Sequence, residues 1–252
     1  MKIFVLNMKV IICLWLFLAT VVFFLPYAYV NVLPTIAKSK ELPIYCVEKA
    51  EKVISVTFDT AWGNEDIDEV IKILEKYDCK STFFVVGGFI DKFPDSIKAL
   101  SDAGHEVANH SNSHAHFNSL SKEKMILDMN NCDEKIQNVT GKKNVIFRAP
   151  YGEYNDLLVK TCMETNRYCI QWDVDSHDWL GLTTNDMKNR IMSRVKNGSI
   201  ILLHTGTKNT ASALPEILSS LKSEGYKFVV VSDLIIKDNY YIDHLGMQKL
   251  NN

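Results

Sequence analysis

The chain has 252 residues, which is enough for one large domain or two small ones. Its 47% hydrophobic and 23% charged residues are an ordinary globular composition. The formal net charge of -2 provides no basic field, so nucleic acid is not an expected partner.

The first predicted element is an apolar segment over residues 10–33, preceded by Lys2 and Lys9. It carries no charge, and roughly 20 helical residues cross the hydrocarbon core of a bilayer. A secretory signal has a shorter apolar core and a small-residue cleavage site, and YAYV is a weak site of this kind. We therefore expect residues 1–33 to form an uncleaved transmembrane signal-anchor, with a cleaved signal as the alternative. The basic residues before the segment predict that the remainder faces outward from the cell membrane.

Strand-like and helix-like stretches alternate after this segment. The alternation predicts an α/β fold with a mostly parallel sheet, closed or nearly closed into a (β/α) barrel of about seven strands. We expect one domain over residues 53–236, with residues 34–52 as a linker and residues 237–252 as a peripheral tail. The predicted strands are 53–59, 80–86, 105–109, 144–148, 168–174, 199–204 and 227–231.

The sequence contains six cysteines, of which Cys13 lies in the apolar segment. The other five show no C-x-x-C spacing, and an odd number argues against a complete disulfide framework. We expect buried single thiols, with a bond between Cys162 and Cys169 as the alternative.

Polar residues stand at the ends of five predicted strands. In a parallel barrel the carboxyl ends of the strands meet on one face, where active sites lie. We therefore expect these residues to converge on one site: Asp59, His110, His114, Arg148, Asp173, Asp175, Asp178, Trp179 and His204.

His110 and His114 are four positions apart. On a helical turn this spacing puts both imidazoles on one face, where they can bind one metal ion. The alternative is a solvated histidine-rich loop. His116 is expected to point elsewhere.

His204 and Arg148 end apolar strands, where a polar side chain needs a partner or a task. Asp178 or Asp175 can partner His204, and the alternative is a core histidine bonded to the backbone. Arg148 can keep a buried carboxylate such as Asp59 ionised, and the alternative is a surface ion pair.

Five motifs follow one another in the order TFD (57–59), HSxxH (110–114), RxPY (148–151), DSxDW (175–179) and LLH (202–204). This order resembles the polysaccharide deacetylase family, also known as the NodB-homology family or carbohydrate esterase family 4. The resemblance covers residues 53–236 and is strongest to the spore-forming Gram-positive branch, which is linked to cell-wall and spore-cortex peptidoglycan.

The resemblance implies a distorted (β/α) barrel and a divalent metal, usually zinc or cobalt. The implied reaction is hydrolysis of N-acetyl groups on sugars of chitin-like or peptidoglycan glycans. Asp59 matches the general base, and Arg148 matches the residue that orients it. His204 matches the general acid, and Asp178 matches the carboxylate that tunes it.

The same resemblance assigns the remaining site residues. His110 and His114 match the two metal histidines. Tyr151 matches a groove residue whose backbone helps to bind the oxyanion. Trp179 matches a hydrophobic patch, and Asp175 is counted with the substrate-binding residues.

One position departs from the family pattern. Most active members have two acids in TFDD, and the second binds the metal, whereas this chain has Thr60. A hydroxyl is a weak metal ligand beside a carboxylate. Water or a carboxylate of Glu65 or Asp66 could replace it, although helix capping is the plainer role for either acid.

The leading hypothesis is a membrane-anchored, metal-dependent deacetylase of cell-wall glycan. Because of Thr60, one alternative is a catalytically impaired relative that binds glycan in wall or spore assembly. Another alternative is a hydrolase that acts on O-acetyl groups.

Overall fold

The computed structural model describes residues 7–32 and 40–251, and of residues 24–32 it describes the backbone alone. Residues 33–39, at the end of the predicted anchor and the start of the predicted linker, lie outside this description. The chain divides into two compact units, Met1–Lys40 and Glu41–Asn252.

The first unit contains helix α1 (Met8–Val32), which has large exposed apolar side chains from Met8 to Phe23. Over residues 7–32 and 40–251, no helix is both long and apolar enough to cross a membrane. The predicted transmembrane helix is therefore unsupported in this part of the chain.

The second unit combines parallel strands with covering helices. Within the described residues its strands are β1 (Cys46–Val47), β2 (Val53–Thr60), β3 (Thr82–Val85), β4 (Glu106–Asn109), β5 (Ile146–Phe147), β6 (Tyr168–Cys169), β7 (Val174–Asp175), β8 (Ile200–His204), β9 (Lys227–Phe228), β10 (Tyr240–Ile242) and β11 (Met247–Leu250). Its helices are α2 (Ile67–Lys76), α3 (Gly87–Lys92), α4 (Pro94–Asp102), α5 (Lys122–Thr140), α6 (Asp156–Glu164), α7 (Thr184–Met192), α8 (Thr210–Ser223) and α9 (Val231–Leu234).

The main sheet is parallel, with strand order β6-β5-β4-β3-β2-β8-β7, and β9 pairs with the start of β2. It curls into a half-barrel, which confirms a barrel-like α/β fold but not a closed or nearly closed barrel. Strand β2 lies inside the sheet, between β3 and β8, and its residues are buried almost throughout, as expected of a parallel strand covered on both faces. Phe58 of β2 stacks on Phe83 of β3 with ring centroids 4.8 Å apart.

The prediction of one strand over residues 168–174 is wrong. The structure has β6 and β7 there, at opposite ends of the sheet order. Between them, Ile170 bridges to Ile44, and the Gln171 N–H donates to the Ile44 carbonyl at 2.7 Å. This contact with a distant segment breaks the apolar run in two.

A second sheet, in the order β1-β11-β10, uses residues that the sequence assigned to a linker and a tail. Strand β1 pairs in parallel with β11, and β10 is antiparallel to β11. Gln248 of β11 is fully buried, and its amide bonds the backbone N–H and carbonyl of Ile236 at 2.8 and 2.7 Å. These pairings attach both segments to the compact unit.

All six cysteines are free thiols, and only Cys13 is exposed. A hydrogen bond with Cys162, together with burial, raises the pKa of Cys169 well above its ordinary value.

Candidate active site

The carboxyl ends of β2 and β8 lie side by side in the main sheet. Asp59 and His204 are direct partners in the register of these strands. Because neighbouring parallel strands are about 4.8 Å apart, both side chains leave the sheet at one place. Chain elements that follow β4, β5 and β7 bring the other site residues to this edge.

Asp59 is held by a buried arginine. Arg148 is fully buried, and its Nη1 donates to Asp59 Oδ1 at 2.7 Å. The guanidinium also donates to Thr57 Oγ1 at 3.0 Å and to the Gln171 carbonyl at 3.1 Å, and it lies 3.9 Å from the Phe84 ring centroid. This contact is a buried ion pair, so the alternative of a surface pair is wrong.

Burial alone would raise the pKa of Asp59. Interactions with His110, Arg148 and His204 outweigh that effect, so the pKa of this carboxyl lies below its ordinary value. Asp59 is therefore an ionised carboxylate at neutral pH, which is the form that accepts a proton.

His204 is paired with a buried carboxylate. Its Nδ1–H donates to Asp178 Oδ1 at 2.8 Å, and its backbone N–H donates to Asp178 Oδ2 at 2.7 Å. Thr210 Oγ1 and the Trp179 N–H also donate to the Asp178 carboxylate, at 2.7 and 2.9 Å. Burial lowers the pKa of His204, but the hydrogen bond to Asp178 and the charge of Asp59 outweigh it and raise this pKa.

His110 and His114 come together, but not on a helical turn. His114 has a left-handed backbone with φ 55°, and its N–H donates to Ser111 Oγ at 2.9 Å. This bent loop brings the two imidazole centroids to 5.3 Å. The prediction that the two rings lie close together is confirmed. The prediction that a helical turn brings them together is wrong, because a loop held by the Ser111 hydroxyl does so.

The ring nitrogens of His110 and His114 have defined partners. His110 Nδ1–H donates to the Arg148 carbonyl at 2.9 Å, which leaves Nε2 with a lone pair 3.4 Å from Asp59 Oδ2. His114 Nδ1 is 3.2 Å from the Tyr151 hydroxyl. Burial, followed by the field of His110, lowers the pKa of His114 to about 4. Burial also lowers the pKa of His110.

The donor set is incomplete for a zinc or cobalt site. Catalytic zinc usually has three protein ligands, and the third position here is Thr60, whose buried Oγ1 has no hydrogen-bond partner in the part of the chain described. Within those residues no group of three or more His, Cys, Asp or Glu could hold a metal. The residues present do not by themselves fit the metal that the family resemblance implies.

Asp66 does not supply the missing ligand. Both of its carboxylate oxygens accept the backbone N–H of Gly206, at 3.0 and 2.9 Å. It stands at the N-cap position of α2 but makes no side-chain capping bond. The acid instead ties the loop after β2 to the loop after β8.

The predicted substrate-binding residues lie on the loops around this edge. Tyr151 and Trp179 are exposed, and Trp179 directly follows Asp178. The Asp175 carboxylate accepts the His177 N–H at 2.8 Å, which stabilises the loop that carries Trp179. The structure does not test the roles of these residues, which stay predictions.

One expectation about a neighbouring residue is wrong. Asp173 accepts hydrogen bonds from Ser199 Oγ and the Ile200 N–H, both at 2.9 Å, at the amino end of β8 and so away from the site. The His116 ring stacks on Tyr151 with centroids 4.3 Å apart.

The sequence interpretation missed Trp62. This side chain is 57% exposed, and its ring centroid is 5.4 Å from that of His114. The sequence did carry a signal for this residue, because Trp62 lies in the short loop directly after the strand that carries Asp59.

Comparisons with known proteins identify the family. The sequence pattern of the family described as polysaccharide deacetylase matches residues 47–169. A peptidoglycan-N-acetylglucosamine deacetylase of Bacillus cereus is 34% identical over 197 residues, which cover 75% of this chain and 91% of that protein. The chain belongs to the polysaccharide deacetylase family.

Other members show the range of this family. The peptidoglycan-N-acetylmuramic acid deacetylase PdaA of Bacillus subtilis is 30% identical over 200 residues, which cover 77% of this chain and 75% of that protein. The chain spans only 60% of the length of another curated relative. A solved mutant of a carbohydrate esterase family 4 pseudoenzyme of Bacillus anthracis, with restored enzymatic activity, superposes with a TM-score of 0.74. It is 32% identical, and the match covers 77% of this chain and 71% of that one.

Family membership sharpens the meaning of Thr60. Members of the polysaccharide deacetylase family are generally metal-dependent hydrolases. In this member Asp59 pairs with Arg148 and His204 pairs with Asp178. At the predicted metal position the structure brings together two imidazoles, and the position predicted for a third ligand is Thr60.

Proposed function

We propose that this chain hydrolyses N-acetyl groups on a peptidoglycan-type glycan built of N-acetylglucosamine and N-acetylmuramic acid. One observation carries the proposal: Asp59 and His204 are register partners on the adjacent strands β2 and β8, and each has its own partner, Arg148 at 2.7 Å and Asp178 at 2.8 Å. A buried ionised acid beside a histidine of raised pKa is the combination that amide hydrolysis requires.

The chemistry follows from these two pairs. Asp59 accepts a proton from the attacking water as the new bond to the acetyl carbon forms. Protonated His204 gives a proton to the nitrogen as the carbon–nitrogen bond breaks, which yields acetate and a free amine. Each general acid or base contributes about 10²–10⁴-fold in rate.

We infer that zinc or cobalt binds this chain more weakly than it binds a member with the second acid. The His110 lone pair and the nearby His114 ring support binding, and the neutral Thr60 hydroxyl weakens it. The choice of metal is part of this proposal and requires measurement.

A second candidate function is that of a catalytically impaired glycan-binding protein in wall or spore assembly. The substitution at Thr60 favours it, and so does the similarity to a family 4 pseudoenzyme. The paired acid and base oppose it, because a decaying site has no reason to keep them.

The test is release of acetate and appearance of free amines when the purified chain is incubated with peptidoglycan glycan strands. Parallel reactions contain added zinc, added cobalt or a chelator. Acetate with matching amines supports N-deacetylation, whereas acetate without amines indicates an O-acetyl esterase. No acetate with either metal, but release by a Thr60→Asp variant, would support the impaired alternative.

We further propose that the domain acts outside the cytoplasmic membrane as part of a single-pass protein. The peptidoglycan substrates of its relatives and the exposed apolar side chains of α1 support this location. Protease treatment of intact cells, followed by detection of the domain, tests it. Protection of the domain in intact cells and its digestion after lysis would contradict the proposal.

A further inference from the structure

Trp62 is an exposed indole at the rim of the site. Its side chain is 57% exposed although tryptophan is usually largely buried, so its exposure suggests an interaction. It lies three residues after Asp59, in the loop that leaves β2. The side chain is not buried in the core, and its indole N–H makes no hydrogen bond within the part of the chain that the structure describes, so neither role explains a tryptophan at this position.

The backbone that carries Trp62 is closely confined. A Cβ on Gly206 would lie 2.4 Å from the Trp62 carbonyl oxygen, and a Cβ on Gly63 would lie 2.7 Å from Gly206 Cα. The Asp66 carboxylate closes this contact by accepting the Gly206 N–H at 3.0 and 2.9 Å. Because the loop is held in place, a ligand on the indole does not have to order it.

Trp62 begins a continuous row of rings, which we call the aromatic row: Trp62, His114, Tyr151 and His116. Successive ring centroids in the row are 5.4, 4.7 and 4.3 Å apart. Because His114 is also 5.3 Å from His110, the row adjoins the polar residues around Asp59. A row of rings beside a polar site fits a ligand with one apolar face and several polar groups.

We propose that Trp62 forms a binding subsite for the pyranose ring next to the one that carries the reacting acetamide. The apolar C–H face of a pyranose packs on the indole, while its hydroxyl groups remain in water. This inference rests on the proposed function for the identity of the glycan. It adds Trp62 as the contact for a second sugar of that glycan.

The test compares the Kd of the purified full-length chain for N-acetylglucosamine and for its soluble tetramer. The wild-type chain binds the tetramer more tightly. Trp62→Ala weakens tetramer binding by roughly tenfold, the effect of truncating an important aromatic contact, and changes monomer binding less than twofold. Trp62→Phe, which keeps a flat ring, retains most of the affinity. Tyr241→Ala, which removes an exposed aromatic ring from β10, is the matched control and leaves both constants unchanged.

The subsite is rejected if the wild-type chain does not prefer the tetramer, or if Trp62→Ala leaves tetramer affinity unchanged. It is also rejected if Trp62→Ala weakens the binding of monomer and tetramer equally, because Trp62 would then act through His114. Acetate release separates this inference from the proposed function. Trp62-dependent tetramer binding without acetate rejects the hydrolysis, whereas acetate release without such dependence rejects the subsite.

Discussion

Thr60 is the residue on which the proposed metal site depends most. It fits strand β2 well, because a β-branched side chain suits a strand and its carbonyl accepts the Val86 N–H at 3.1 Å. Its hydroxyl is buried without a partner in the described part of the chain, which costs stability. Thr60 therefore fits the strand but places a neutral hydroxyl where most active members of the resembled family have an acid.

Thr60→Asp is expected to bind zinc at least tenfold more tightly than the wild-type chain. The added carboxylate supplies a third protein ligand beside His110 and His114. Without metal, the variant should unfold at a lower temperature, because a second buried carboxylate stands beside Asp59. Calorimetric titration measures the affinity, and thermal unfolding with and without zinc measures the linked stability.

Thr60→Asn is the control for this experiment, since it has nearly the same shape as the aspartate variant without the charge. It should gain little zinc affinity. Equal affinities in wild type and Thr60→Asp would reject a metal site at this edge, and so would unchanged zinc binding in His110→Ala.

Asp59→Asn is expected to lower the rate of acetate release by about 10²–10⁴-fold, the contribution of a general base. It should also destabilise the fold by about 3–5 kcal/mol, because the fully buried Arg148 loses its anionic partner. Acetate assays and denaturant unfolding measure the two effects. Asp102→Asn, at an exposed pair with Lys98, is the control and should change neither. An unchanged rate in Asp59→Asn would remove the residue from its assigned role.

Asp178→Asn is expected to lower the pKa of His204. Burial depresses this pKa, and Asp178 is first among the groups that raise it above the ordinary value. The activity of the protonated acid is lost as pH rises through the pKa, so the alkaline limb of the rate profile moves to lower pH in the variant. The raised pKa also stabilises the fold at pH below the ordinary value, and the variant should lose that pH-dependent contribution.

NMR titration of the His204 ring checks the Asp178 prediction independently of activity. Asp186→Asn, at the exposed start of α7, is the control and should leave the His204 titration unchanged. An unaltered His204 pKa in Asp178→Asn would contradict the pairing.

At the scale of elements, the sequence predicts strand bounds best where the local hydrophobic pattern matches the burial of the strand in the fold. Strands β2 and β8 are apolar runs that end in a polar residue, and both are found within one residue of their predicted bounds. The run 168–174 has the same local pattern, but pairing with Ile44 splits it. No local signal reports the contact of Ile44 with a segment more than 100 residues away.

The same limit applies to the site. The order of the motifs predicts that Asp59, Arg148 and His204 converge, because parallel strands align their carboxyl ends. The sequence does not predict the loop geometry that joins His110 to His114, because it depends on a left-handed residue and a serine bond. It also does not reveal that Asp66 bonds Gly206, because that contact joins two loops from distant parts of the chain.

Gly206→Ala tests the contact between the loops after β2 and β8. The new Cβ would lie 2.4 Å from the Trp62 carbonyl oxygen, at a backbone φ of +71°. Gly141→Ala is a matched control, because Gly141 also has φ +71° but no atom lies within 4 Å of its Cβ position. Both variants bear the backbone strain, so Gly206→Ala should cost about 1–3 kcal/mol more in the free energy of unfolding. If denaturant unfolding shows equal losses of unfolding free energy in Gly206→Ala and Gly141→Ala, the loops move apart to accommodate the methyl group.

At the scale of the whole unit, catalytic and stabilising parts lie at different ends of the same strands. His204 ends β8 at the candidate site, whereas Ser199, just before its start, bridges to Cys46 of β1. The small sheet therefore attaches near the amino end of β8. A change in this sheet should alter stability without altering the acid–base groups, which allows the two properties to be measured separately.

Gln248→Ala is the variant that tests this separation. The buried amide of Gln248 bonds the N–H and the carbonyl of Ile236, and alanine would leave both backbone groups unpaired. We expect a loss of about 1–3 kcal/mol. For a domain of this size each kcal/mol corresponds to roughly 2–4 °C in Tm.

The Gln248→Ala variant should retain wild-type affinity for the N-acetylglucosamine tetramer at temperatures below its unfolding transition, because the aromatic row does not contact β11. Gln137→Ala, on the exposed face of α5, is the control and should shift Tm little. An unchanged Tm in Gln248→Ala would mean that the small sheet adds no stability. A lower Tm with weakened tetramer binding would mean that the two ends of the unit are coupled, so that residues 237–251 support the site as well as the fold.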